Sequence, residues 1–410
     1  MLHTLYADRD GNLHQDTHLT AVAGRGSAIV RAEQYIPLPD GATLSSLPGR
    51  APLGYNAAGE LVCSRGKAER WAVGALLPQG FSRTLNPAYT RTGEPEVLPL
   101  LGYTAVAMQQ GKVLVAALQT DEHRMWHPRY YNTPELPGRI ARLKKRFPDN
   151  RIVSQLARCS LQYGCFTAQN FFYRRFEGGL PVSPACNARC LGCISLQESE
   201  CCKSAQGRID FKPTVREGTE VALYHLSGKR TDNIISFGQG CEGEPSLAAK
   251  TIAGIIRATR DHCDQGAINI NTNAGSTADI RRIVDAGLDT MRVSIISATE
   301  AHYNAYYRPR GYSLADVEAS LAYAVERGVY VSLNLLTLPG FNDREREIEN
   351  LRALLRRTGT QKVQIRNLNI DEDWFYREMQ VERAESPGVP ALIAALKADG
   401  VAVGNYTTVV

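Results

Sequence analysis

Apolar residues recur along this chain in two registers, and the change between them falls near residue 135. Up to about residue 120 they come in short alternating runs, the pattern of half-buried strands. Residues 54–63 (GYNAAGELVC) read as strand, turn, strand, and 103–118 (YTAVAMQQGKVLVAAL) as two strands joined at Gln109-Gln110-Gly111. Pro- and Gly-containing stretches such as 37–54 separate such runs, with no repeat and no low-complexity tract. Beyond residue 135 the period lengthens. Ile140, Leu143 and Phe147 make one helical stripe, and Arg139, Arg142, Lys144, Lys145 and Arg146 fill the positions around it. A second helix is expected over about 151–175, carrying Cys159 and Cys165.

From about residue 179 strands and helices alternate. LPVS (180–183), NIISFG (233–238), AININ (267–271), TMRVSII (290–296), VYVSLNLL (329–336) and KVQIRNLNI (362–370) read as six strands. Helices are expected over 246–263, 276–287, 299–307, 313–328 and 343–359, with Ser or Thr caps and Gly stops at several ends. This series predicts an α/β fold with a parallel sheet, open or barrel-like, whose ligand site lies at the carboxyl ends of the strands. The chain divides into a β-rich N-terminal domain (1–135), a helical connector (136–178), the βα core (179–375) and a C-terminal extension (376–410) with a helix over 389–399 and one candidate strand.

Composition narrows the class. A chain of 410 residues that is 43% hydrophobic and 22% charged can bury a core in two or three domains. No run of eighteen apolar residues occurs, so no membrane span and no membrane partner is expected. The N-terminal MLHTLYADRDGNLH lacks a basic region followed by an apolar stretch, and a cytoplasmic location follows as the expectation. The net charge of +5 permits an anionic partner without requiring one. The basic stripe around Ile140 reads as the solvated face of a connector helix, with RNA or a membrane surface as the alternative. Ten cysteines are many for a reducing compartment, and eight of them fall between Cys159 and Cys241 inclusive. Such clustering points to metal or redox chemistry rather than disulfides.

The segment PACNARCLGCIS places Cys186, Cys190 and Cys193 within eight residues as CX3CX2C. Three thiolates on a tight loop converge readily on an iron–sulfur cluster and leave one iron of a four-iron cluster without a protein ligand. Structural zinc prefers four ligands in two separated pairs, and no histidine lies nearby. At the end of the first of six strands, this motif resembles the radical S-adenosylmethionine (SAM) superfamily over about residues 179–375. The resemblance implies a partial (β/α)6 TIM-like barrel and an oxygen-sensitive [4Fe-4S] cluster on Cys186, Cys190 and Cys193. It implies SAM chelated through its amino and carboxylate groups, and an external electron donor such as flavodoxin or ferredoxin. Reductive cleavage of SAM to a 5′-deoxyadenosyl radical, which abstracts a hydrogen atom, is the reaction it implies.

The remaining stretches align by position with that superfamily. GQGCEGEP (238–245) is similar to its glycine-rich motif, which would place Gly243 against the ligand and give Glu244 the SAM amino group. Asn271 and Asn273, Ser294 and Asn334 stand at the ends of the third, fourth and fifth strands and are candidates for SAM or substrate contacts, although such residues also form turns. Arg308, Arg310, Arg366, Asp371 and Asp373 belong to the same inferred face, where they would bind SAM or a charged substrate or pair among themselves. Tyr303, Tyr306 and Tyr307 read as core packing. Gly192 departs from the aromatic residue many members of the family carry just before the third cysteine, so adenine packing falls to another residue. Cys241, three residues before Glu244, is the candidate catalytic thiol, as a hydrogen-atom donor, a ligand of a second metal or a pocket lining. A second iron–sulfur cluster drawn from Cys159, Cys165, Cys201, Cys202 and Cys241 competes with the plainer reading of buried thiols. The substrate expectation is a peptide or protein side chain recognised by the N-terminal domain, by analogy alone. RNA modification and a non-catalytic iron–sulfur scaffold or sensor are the alternatives. A cobalamin-dependent methyltransferase is disfavoured, because no DXHXXG motif occurs.

Overall fold

The computed structural model describes residues 1–66, 68–122, 125–197, 204–228 and 230–407. Among these, fourteen short antiparallel strands between His3 and Gln119 build the N-terminal domain. Strands Tyr103–Gln109 and Lys112–Val115 pair as a hairpin whose turn residues Gln110 and Gly111 have φ of 50° and 73°. Two left-handed turn residues match the twist of the flanking strands, which is why QQG was readable as a turn. Leu5, Val73, Ala75, Val106 and Val115 supply this domain's core. The connector helix Leu136–Arg146 buries Leu136, Ile140 and Leu143. The single helix expected over 151–175 is two, Arg151–Gln162 and Phe166–Tyr173, because Gly164 between them adopts φ 60°.

The core is one parallel sheet in sequential order: β1 (Glu177–Gly179), β2 (Ile234–Phe237), β3 (Ala267–Thr272), β4 (Thr290–Ile295), β5 (Tyr330–Thr337), β6 (Lys362–Asn367) and β7 (Ala402–Gly404). It therefore has seven strands rather than the six expected, since the C-terminal extension adds β7 beside β6. The first strand also starts earlier than LPVS. Pro181 has no N–H, and the N–H groups of Val182 and Ser183 donate to the Glu242 carboxylate (2.8 and 3.0 Å) instead of to a neighbouring strand. Helix Val215–Leu226, between β1 and β2, has no counterpart in the sequence reading. Its signal is the reciprocal cap of Thr214 and Glu217.

Residues on the sheet's outer face, such as Ile268, Ile270, Met291, Val293, Val331, Leu333, Val363 and Ile365, are buried against the helices. Polar residues alternate with them on the inner face. Arg292 on β4 meets Glu177 on β1 at 3.0 Å. Three strand spacings amount to about 14 Å in a flat sheet, so that contact requires the sheet to curl. No ladder joins β1 to β7 among the described residues, and the result is an open half-barrel. Residues 405–407 cross the gap, where Thr407 Oγ1 donates to Glu177 Oε2 (2.7 Å). The N-terminal domain docks on the carboxyl rim of β5 and β6. Arg83 donates to the carbonyls of Thr337 (3.3 Å) and Leu368 (2.9 Å), and Arg50 pairs with Asp371 at 2.6 Å, both buried. Among the described residues no helix is long and apolar enough to cross a membrane.

Candidate active site

The cysteine loop leaves β1 at the carboxyl end of the sheet and is gripped from two sides. Arg189 N–H and Leu191 N–H donate to the carbonyls of Tyr307 and Tyr306 (2.9 and 3.0 Å), the last residues of helix Glu300–Tyr307. Asn187 accepts from Arg310 N–H (2.8 Å) through its carbonyl and from Asn273 Nδ2 (2.7 Å) through its side chain. On the other side the Gly-rich turn after β2 lies backbone to backbone with residues 183–185. Gly243 N–H donates to Ser183 O (2.7 Å) and Glu244 N–H to Ala185 O (2.8 Å). A Cβ on Gly243 would stand 2.0 Å from Ala185 O. Gly243 is thus needed for close approach to the cysteine loop.

Burial is the main cause that pushes the Cys186 and Cys190 thiols up. Cys193 and Cys186 add to the shift of Cys190, and Glu244 adds to that of Cys186. The backbone bond from Glu244 to Ala185 sets Glu244 against the residue before Cys186, and none of the three cysteines is in a disulfide. Arg208 sits beside them, donating to Ser195 Oγ (3.1 Å) with Nη2 at 3.8 Å from Cys193 Sγ. No three His, Cys, Asp or Glu side chains among the described residues converge as ligands of a single metal ion. A loop of three thiols fits a four-iron cluster, in which each cysteine meets a different iron. A depression of about 120 Å³ opens onto Cys190 and Cys193 from outside, ringed by Arg189, Arg208, Arg308 and Glu378.

Gly192 has a local reason. Tyr306, buried on the packed face of its helix, brings its hydroxyl to 2.7 Å from where a Cβ at residue 192 would stand. The volume an aromatic at 192 would fill is taken by Tyr306, which packs edge-on to Tyr307.

Glu244 is buried and tied to the end of β3. Its carboxylate accepts from Thr272 Oγ1 (2.5 Å), Asn273 N–H (2.8 Å) and Ser246 N–H (3.0 Å). Burial pushes its carboxyl up, opposed by those donors. A carboxylate has about four lone-pair sites, and these three donors occupy three of them. Glu242, two residues earlier, was not singled out in the sequence. It is buried and accepts from Gly238 N–H (2.6 Å) as well as Val182 and Ser183, and burial pushes it up to about 8 against those three donors. It locks the Gly-rich turn to the approach of the cysteine loop.

The inner face carries Ser294 and Asn334 side by side in register, with Asn334 Oδ1 buried and unpartnered. Asn271 donates to Phe237 O (3.0 Å), and Arg366 reaches the tail at Asn405. Glu177 and Arg292 were missed by sequence reasoning. Their signal was the alternation of polar residues within strands of a parallel sheet, where an uninterrupted apolar run is usual.

Other candidates lie elsewhere. Cys241 is buried in the same apolar core as Cys159 of helix Arg151–Gln162, and Cys159 Sγ accepts from Gln155 Nε2 (3.3 Å). Cys241 is a core residue rather than an inner-face thiol. Cys201 and Cys202 lie outside the described residues, so a four-cysteine set for a second cluster is not defined. Arg308 pairs with Glu378 (3.1 Å) on the exposed outer rim. Asp371 caps helix Glu372–Met379 and pairs with Arg50, and Asp373 pairs with Arg383 at 2.8 Å. Both aspartates are committed to structural contacts because the N-terminal domain covers that part of the rim. Tyr303, Tyr306 and Tyr307 pack in the core.

Residues 180–351 match the Radical SAM superfamily. No curated protein matches the chain. Among solved structures, a radical SAM methyltransferase from Sphaerobacter thermophilus is 17% identical, with a TM-score of 0.41 over 56% of this chain and 65% of that one. Native anSMEcpe with bound AdoMet is 13% identical, with a TM-score of 0.40 over 55% of this chain and 64% of that one. SuiB from Streptococcus suis bound to S-adenosylmethionine is 11% identical, with a TM-score of 0.37 over 63% of this chain and 55% of that one. This chain thus spans less than two thirds of the length of each of these structures. The family match falls on the segment that holds the CX3CX2C loop, the Gly-rich turn and β2–β5, and residues 180–351 of this chain are a domain of the radical SAM superfamily.

Proposed function

We propose that this protein is a radical SAM enzyme that holds a [4Fe-4S] cluster on Cys186, Cys190 and Cys193 and abstracts a hydrogen atom from a peptide or protein side chain. When bound, the cluster supplies the electron that cleaves SAM to methionine and a 5′-deoxyadenosyl radical. The observation that carries this reading is the placement of the three-thiol loop beside buried Glu244 at the carboxyl end of a polar half-barrel.

Each residue has a task in this reading. Glu244 offers its remaining lone pair to the SAM ammonium while its other bonds fix the turn to β3. Gly243 lets the turn lie against the cysteine loop, and Asn273 holds that loop through Asn187. Ser294 and Asn334 face the ligand from β4 and β5, where the unpartnered Asn334 Oδ1 accepts a hydroxyl or an amine. The external reductant, of the flavodoxin or ferredoxin class, approaches the depression over Cys190 and Cys193, whose arginines suit an acidic carrier.

Anaerobically reconstituted protein with dithionite and SAM should release 5′-deoxyadenosine. No release from an intact, reducible cluster would refute the enzyme reading. The Cys186→Ala/Cys190→Ala/Cys193→Ala variant should lose its iron, and full iron content in it would refute the ligand assignment. About four irons retained per chain would instead reveal a second cluster.

A further inference from the structure

Beneath the candidate SAM contacts, the inner face of the half-barrel is polar and basic. Arg292 on β4 and Lys362 and Arg366 on β6 project from it, and the sheet's strands contribute one carboxylate there, Glu177. Glu177 is saturated. It accepts from Ser236 Oγ (2.7 Å), Gln239 Nε2 (2.9 Å), Arg292 Nη2 (3.0 Å) and Thr407 Oγ1 (2.7 Å). Arg366 has no carboxylate within ion-pair distance among the described residues. Its Nη1 donates only to neutral acceptors, Asn405 O (2.8 Å) and Asn405 Oδ1 (2.9 Å). Arg292 has a second edge without a partner: its Nε is buried and makes no hydrogen bond. Gln364 Oε1, on the strand between Lys362 and Arg366, is buried and unpartnered as well.

The two guanidiniums hold one short tail segment, Arg292 at Thr407 and Arg366 at Asn405. Burial drives Arg366 down to about 10 and the Arg292 charge adds to that, while Glu177 and Asp121, which accepts from Asn405 N–H, oppose it from beyond ion-pair distance. A half-buried cation with only neutral hydrogen-bond acceptors and a like charge nearby is favoured by an anion that joins it. Arg side chains present planar forks matched to carboxylate and phosphate oxygens. Besides the Glu177 carboxylate on Arg292, what touches them now is neutral: Thr407 on Arg292 and Asn405 on Arg366.

We propose that Arg292 and Arg366 form the recognition site for an oxyanion of the substrate, a carboxylate or a phosphate, which displaces Thr407 and Asn405 from the two guanidiniums. This rests on the reading of the half-barrel as an active site, and it narrows the substrate to one with an anionic group close to the reacting position.

The test is thermal unfolding of the reconstituted protein, followed by intrinsic fluorescence, with inorganic phosphate or malonate titrated against chloride at equal ionic strength. The expected result is a saturable rise in Tm with one of the two oxyanions and none with chloride. Preference for phosphate assigns a phosphorylated substrate, and preference for malonate assigns a carboxylate. The apparent affinity should fall at least tenfold in Arg366→Gln and only partly in Arg366→Lys, which keeps the charge. Glu177→Gln/Arg292→Gln, which removes both partners of the ion pair, should weaken it similarly. A rise no larger than that in chloride, or one unchanged in Arg366→Gln, overturns the proposal. So does competition by saturating SAM, because the oxyanion would then be the SAM carboxylate. None of these readouts requires SAM cleavage, so failure here is distinct from failure to release 5′-deoxyadenosine.

Discussion

Replacing Gly243 by Ala sets one methyl group against the backbone that leads into the cysteine loop. The added Cβ would lie 2.0 Å from Ala185 O, 2.6 Å from Ala185 C and 3.2 Å from Cys186 N. Real Cβ contacts do not close below 3.0 Å, so the Gly-rich turn must retreat by about 1 Å. The bonds Gly243 N–H to Ser183 O (2.7 Å) and Glu244 N–H to Ala185 O (2.8 Å) then stretch beyond hydrogen-bond range. Losing each costs about 1 kcal/mol where the freed groups reach water and up to about 2 kcal/mol where one of them stays buried and unpaired. The expected destabilisation is about 2–4 kcal/mol, a large part of a typical domain's stability. Because Cys186 follows Ala185 directly, the same shift misplaces the first thiol. Urea unfolding gives the stability loss, and iron per chain after anaerobic reconstitution gives the loss at the site. Gly138→Ala is the matched control. Gly138 is an exposed position of helix Leu136–Arg146 with space for a Cβ, and the change there should stabilise by about 0.5–1 kcal/mol. Wild-type stability and wild-type iron content in Gly243→Ala would refute the close-approach argument.

Three further outcomes follow from the contacts. Burial holds His225 down to about 4, against an ordinary 6.5, with its Nε2 at 3.0 Å from Phe176 O. Its stabilising effect is therefore complete above pH 6.5 and is lost as pH falls toward 4, amounting to about 1.4 kcal/mol at pH 5.5. Urea midpoints at pH 7.5 and 5.5 should converge in His225→Gln relative to wild type. Arg50→Met leaves Asp371 buried without its cation and should cost about 3–5 kcal/mol in urea unfolding, detaching the N-terminal domain from the rim. Arg208→Gln removes the guanidinium 3.8 Å from Cys193 Sγ and should make the cluster harder to reduce, on the order of 60 mV more negative by EPR-monitored titration. An unchanged midpoint would dissociate Arg208 from the cluster.

Much of this protein could be read locally. The QQG turn, the 3.6-residue stripe of Ile140 and Leu143, and five of the core strands follow from patterns a few residues long. The CX3CX2C loop and the Gly-Glu-Pro turn are likewise local, and their order along the βα series was enough to place them together. Helix Val215–Leu226 was legible too, in the Thr214–Glu217 cap, although its weak amphipathic pattern hid it. The alternation of polar residues in β3 to β6 announced a polar inner face, but not what those residues meet.

Tertiary structure alone decided the partners, because they are far apart in sequence. Glu242 ends β1 early by capturing N–H groups 59 and 60 residues away. Tyr306 in helix Glu300–Tyr307 takes the space a side chain at position 192 of the cysteine loop would need, and Arg292 finds Glu177 only because the sheet curls. Cys241 stands three residues before Glu244, yet it lies in the core with Cys159 while Glu244 turns to β3. Sequence spacing fixes which chemistry is available near a strand end. Which face of the turn each side chain takes depends on the packing of elements brought together by folding, and that separates Cys241, in the apolar core, from the three thiols of the CX3CX2C loop.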